Sequence, residues 1–107
     1  MIIREKVIKR LNDFLARNKN YTIEVYIKNT DTDSYIEKNY VPSDRNWDFE
    51  NEKEFKMSWH NGCYSIKIPY KEISACYEGV DKYNQQDIHI ILENGLCIEF
   101  ECVGMKI

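Results

Sequence analysis

Apolar residues at Ile3, Val7, Ile8, Leu11, Phe14 and Leu15 recur at spacings of three and four, the period that gathers side chains onto one stripe of a helix. Arg4, Lys6, Lys9, Arg10 and Arg17 fall between them, and Asn18-Lys19-Asn20 supplies a polar stop. The pattern predicts an amphipathic helix ending near Lys19. The period then changes to two. Tyr21, Ile23, Val25 and Ile27 alternate with Thr22, Glu24, Tyr26 and Lys28, as in a half-buried strand. A polar loop from Asn29 to Ser34 leads to a weaker strand, Tyr35 to Val41, stopped by Pro42.

Two Asn-Gly pairs, Asn61-Gly62 and Asn94-Gly95, each lie between alternating apolar runs and so mark β-hairpins. In the first, a two-residue type I′ turn sets Trp59 opposite Tyr64, Met57 opposite Ile66 and Phe55 opposite Ile68, an apolar inner face throughout. The same loop in the second would set Ile90 against Glu99 and Ile88 against Glu101. A three-residue loop, Glu93-Asn94-Gly95, with Gly95 in the left-handed region, instead pairs Leu92 with Leu96, Ile90 with Ile98 and Ile88 with Phe100. One dipeptide is thus expected to make two different turns.

These elements predict an α+β fold, an N-terminal amphipathic helix packed on a five- or six-stranded antiparallel, hairpin-rich sheet whose strands follow one another in sequence order. A chain of 107 residues suits a single domain, 1–107. The outward face of the second hairpin, His89, Ile91, Cys97, Glu99, Glu101 and Val103, is more apolar than a fully wet face, and the helix is its expected cover. Between the hairpins, Ile73, Ala75 and Tyr77 alternate and favour a strand, although Ile73, Cys76 and Tyr77 also fit helical spacing.

Charge adds what the pattern lacks. Residues 1–19 carry six basic and two acidic residues, net +4, whereas the rest carries nine basic against sixteen acidic, net −7. The acidic residues are densest at Asp44, Asp48, Glu50, Glu52 and Glu54, with Trp47 and Phe49 among them. Two readings stand: either the aromatics tuck under the sheet and the carboxylates merely face water, or both form an interaction surface. The second makes Asp44, Trp47, Asp48, Phe49, Glu50 and Glu52 a partner-binding site for a basic protein, such as a nuclease or another nucleic-acid-binding protein, whose phosphate groove a row of carboxylates can occupy. The runner-up uses Arg4, Lys6, Lys9, Arg10 and Arg17 of the helix on nucleic acid directly, or in a dimeric regulatory module.

Nothing in the chain suggests catalysis or a cofactor, and the metal site that could be drawn, His60 facing Cys63 across the first turn, lacks an evident third ligand, so none is expected. His60 and His89 have no evident nucleophile or acid partner, and Asp31-Thr32-Asp33 lacks the glycine and distal glutamate of a calcium loop. Cys63, Cys76, Cys97 and Cys102 form no CxxC, and Cys97 and Cys102 differ in parity, which points them to opposite faces of a regular strand. A charged beginning at Arg4-Glu5-Lys6 and the absence of a long apolar run suggest a cytoplasmic protein without membrane contact. In size, acidity, abundance of Tyr, Asn and Lys, and lack of catalytic residues, the chain resembles the small inhibitors that phages and mobile elements make against host nucleases, anti-CRISPR proteins among them, and also toxin-immunity proteins. That resemblance is compositional and implies a non-enzymatic protein-binding inhibitor without assigning residues to the task.

Overall fold

The computed structural model describes residues 3–32, 34–80 and 85–106. Helix α1 runs Ile3–Arg17 and buries Val7, Leu11, Phe14 and Leu15 completely. Its stop is local: Asn18 donates to the Phe14 carbonyl through both its backbone N–H, at 3.1 Å, and its side-chain amide, at 2.9 Å. Eight strands follow among the described residues: β1 Tyr21–Asn29, β2 Ser34–Val41, β3 Asn46–Asp48, β4 Glu54–Trp59, β5 Tyr64–Pro69, β6 Ile73–Val80, β7 Gln86–Leu92 and β8 Leu96–Lys106. A single 3₁₀ turn, Tyr70–Glu72, precedes β6, so the segment of ambiguous period is a strand from Ile73. Part of the expected Asp31-Thr32-Asp33 turn and the connection at 81–84 lie outside the described residues. Within the described part of that turn, the Asp31 N–H donates to Asn29 Oδ1 at 2.8 Å, an Asx turn.

The fold is α+β, with one N-terminal helix packed on antiparallel sheets: a main sheet in the order β2-β1-β8-β7-β6 and a second of order β3-β4-β5. Both hairpin registers agree with the apolar pairing. Phe55, Met57 and Trp59 stand opposite Ile68, Ile66 and Tyr64, while Ile88 and Ile90 stand opposite Phe100 and Ile98. Strand order departs from sequence order, because β8 inserts between β1 and β7 while β3, β4 and β5 leave the main sheet altogether. The physical reason lies in β8, where Cys97, Ile98, Glu99 and Phe100 are all buried, as only an interior strand can be. Strand β1 supplies the match: Ile23, Val25 and Ile27 face Cys102, Phe100 and Ile98, aligning two apolar sets on one side of the sheet.

That side is the core. Phe100 of the main sheet meets Phe14 of the helix and Phe55 of the second sheet edge-on, each at 6.4 Å between ring centroids. Helix and second sheet therefore form one layer over the face carrying Val25, Ile88, Ile90 and Phe100. The expectation that α1 covers the opposite face, with His89 and Cys97, is corrected: the helix stripe buries most against the continuous isoleucine and phenylalanine face. A buried Arg45, only 5% exposed, ties the layers together. Its Nη1 donates to the carbonyls of Tyr21 at 2.8 Å and Pro42 at 3.0 Å, and its Nη2 to that of Asn18 at 2.7 Å. Burial holds its pKa below the ordinary guanidinium value.

Candidate functional site

The acidic segment is more ordered than its composition suggests. Asn46–Asp48 forms β3, a short strand absent from the sequence reading, with Trp47 opposite Met57 and Asp48 opposite Lys56. Trp47 is half-buried against the core and its indole N–H donates to Asn12 Oδ1 at 3.3 Å. Phe49 is also half-buried and lies against Phe55, with ring centroids 5.1 Å apart. Both aromatics point inward. Asp44, Asp48, Glu50 and Glu52 remain exposed, and two tight turns fix the backbone between them: Asp48 Oδ1 accepts from the Glu50 N–H and Asn51 Oδ1 from the Lys53 N–H, each at 2.7 Å. Trp47 and Phe49 thus tuck under the sheet, as the first of the two readings of this segment expects, and leave the carboxylates facing water.

Of the five helix cations, two are committed to the fold. Arg4 sits over the Tyr70 ring at 5.5 Å and donates to the Phe49 carbonyl at 3.4 Å, and Arg10 donates to the Cys76 carbonyl. Lys6, Lys9 and Arg17 are exposed.

A third constellation occupies the face of the main sheet away from the core, and no element among the described residues is layered over it. Register places Tyr35, Lys38 and Tyr40 of β2, Glu24, Tyr26 and Lys28 of β1, Cys97, Glu99 and Glu101 of β8, Asp87 and His89 of β7, and Tyr77 of β6 on this face. At its centre His89 lies between two carboxylates, Nε2 at 3.1 Å from Asp87 Oδ1 and Nδ1 at 3.1 Å from Glu99 Oε1. Lys28 Nζ reaches Glu99 Oε1 at 2.9 Å, and the Tyr77 ring stacks on the imidazole at 5.0 Å, only 5° from parallel. A Cβ at Gly79 would stand 2.7 Å from Asp87 Oδ1 and 3.2 Å from His89 Nε2, so a larger residue there would displace the Asp87 carboxylate.

Hydrogen bonding to Cys97 and then Glu99, helped by the charge of Asp87 and opposed by burial, pushes the His89 pKa up to about 10. The hydrogen bond from His89 and the Lys28 ammonium hold Glu99 below the usual carboxylate range against the pull of burial. These mutual partners account for the buried polar residues that a helix was expected to cover. Sequence parity places His89, Cys97 and Glu99 on one outward face, and Asp87, two residues before His89 on β7, shares it; the cross-strand partnership with Lys28 and Tyr77 depends on pairings that parity does not carry.

The remaining sequence candidates stay apart. His60 is exposed at a hairpin tip, its Nδ1 3.9 Å from Asp44 Oδ2, and Cys63 beside it is exposed as well. Cys102 lies on the core face opposite Ile23, so Cys97 and Cys102 do occupy opposite sides of β8. No helix among the described residues is long and apolar enough to cross a membrane. Comparison with protein-family models, with curated proteins and with solved structures finds no match.

Proposed function

We propose that this chain is a non-enzymatic protein-binding inhibitor whose target is a basic nuclease or other nucleic-acid-binding effector, in the manner of anti-CRISPR or immunity proteins. The observation that carries this reading is the acidic segment. Asp44, Asp48, Glu50 and Glu52 are exposed on a stretch that Trp47 and Phe49 anchor to the core. A carboxylate row held in place before binding loses little conformational entropy on meeting its partner. It can also fill a groove shaped for phosphates. Edge strand β2 leads directly into this segment and exposes Tyr35 and Tyr40 by 61% and 56%, residues well suited to protein contact. Direct nucleic-acid binding is the weaker alternative, since Arg4 and Arg10 serve the fold and the acidic display opposes phosphate.

The test is capture from a bacterial host lysate on immobilised protein, identification of what is retained, and displacement of DNA or RNA from that species by the added chain. The comparison is a variant with Asp44→Asn, Asp48→Asn, Glu50→Gln and Glu52→Gln, which keeps the acceptor of the Asp48 turn. Expected is a nucleic-acid-binding protein whose nucleic acid the chain displaces and which the variant no longer retains. Retention that is equal for both chains overturns the reading. So does binding of nucleic acid by the chain itself that Lys6→Gln, Lys9→Gln and Arg17→Gln abolish.

A further inference from the structure

The His89 cluster holds ligating chemistry that protein binding through the acidic segment does not use. His89, Cys97 and Glu99 each offer one donor atom, and the three lie within 4.8 Å of one another. Their placement follows from the sheet. His89 stands directly opposite Glu99 in the β7–β8 ladder, and Cys97 precedes Glu99 by two residues on the same side of β8. Two adjacent interior strands thus fix all three backbones.

We propose that His89, Cys97 and Glu99 form a binding site for a zinc-type divalent cation, taking nitrogen, sulfur and oxygen respectively. A borderline-soft ion suits this mixed set, whereas magnesium and calcium favour oxygen ligands alone. Tetrahedral bonds of about 2.0–2.3 Å put donors roughly 3.3–3.8 Å apart, so side-chain rotations on the order of 1 Å close the site. Three protein ligands leave a fourth position. A cavity of about 260 Å³, bordered by Lys28, Thr30, Tyr77 and Ile91 as well as the trio, opens over it and admits water or a partner's side chain.

The surroundings are those of a metal-bound histidine. With Nδ1 turned to the metal beside Glu99, Nε2–H donates to Asp87 Oδ1 at 3.1 Å, the carboxylate–histidine arrangement that fixes tautomer and ring orientation. Stacking on Tyr77 holds the plane of the same ring. Lys28 supplies positive charge to Glu99 in the metal-free protein and gives way when a cation binds. Coordination releases the Cys97 thiol proton and the Nδ1 proton of His89 to the buffer.

Cobalt(II) chloride, followed by zinc chloride, is titrated into the full chain carrying Cys63→Ser, which removes the exposed competing thiol. Expected are a thiolate-to-cobalt charge-transfer band and strong visible bands of four-coordinate cobalt, saturating at one equivalent and erased by zinc. Cys97→Ser removes the charge-transfer band, Asp87→Asn weakens binding 10- to 100-fold with the band retained, and Lys28→Met tightens it at least threefold. Far-ultraviolet circular dichroism confirms that each variant is folded. Absence of the band from the Cys63→Ser protein at millimolar cobalt overturns the proposal without reference to any further variant, as does a band that survives Cys97→Ser in folded protein.

Discussion

Arg45 shows how far a residue's role can lie from its sequence context. Among Asp44, Asp48 and Glu50 it reads as one cation in an acidic run, yet its guanidinium is buried and spans the carbonyls of Asn18, Tyr21 and Pro42. Arg45→Met strands those acceptors without a donor, and we expect a loss of about 3 kcal/mol, read as a lower urea midpoint at unchanged slope. Arg45→Lys should recover less than half, because one ammonium cannot reproduce the fork that serves both sides. The cysteines offer a second check at this scale. Cys63 is exposed while Cys76, Cys97 and Cys102 are buried, and burial pushes the Cys76 thiol up. A maleimide should label one thiol in the native protein and four in denaturant, measured by intact mass. Arg45's bonds to Asn18 and Tyr21, like the approach of Lys28 and Tyr77 to His89, were not legible in sequence, since these partners come from elements whose pairing no local signal specifies.

At the scale of elements the sequence was far more informative, because a sheet with one apolar face tolerates a single register. Asn61 and Gly62 adopt positive φ of 56° and 85°, and the Cys63 N–H closes the turn on the His60 carbonyl at 3.1 Å. The second loop is the three-residue form, with Gly95 at φ 86° and its N–H on the Leu92 carbonyl at 3.1 Å. His60, at φ 54°, was not foreseen as left-handed. Gly95→Ala has space for its methyl, the nearest neighbour being Thr30 Oγ1 at 3.9 Å, so its cost comes from the backbone alone. We expect about 1–2 kcal/mol by thermal or urea unfolding. Strand β3 escaped notice because three residues are too few to show a period. The order β2-β1-β8-β7-β6 escaped as well, because turn chemistry specifies sequential neighbours and not the pairing of β1 with β8.

Across the whole molecule, Phe100 is the point at which main sheet, helix and second sheet meet. Phe100→Ala should cost about 3–5 kcal/mol, with loss of the cooperative unfolding transition at physiological temperature as the readout. Native-state hydrogen exchange should find the slowest amides in β8 and faster ones in the exposed edge strand β2. The acidic body and basic helix were plain from composition. On the sheet's open face the hairpin register already set His89 opposite Glu99, but Lys28 and Tyr77 join them through the β1–β8 and β6–β7 pairings, which the turn does not specify. The position of β8 also reaches into biosynthesis. A ribosome that has emitted everything through Leu92 has made β1 and β7 but not the strand that lies between them. The main sheet can close only after residues 96–106 clear the exit tunnel, and until then β1 and β7 each keep one edge without its partner strand.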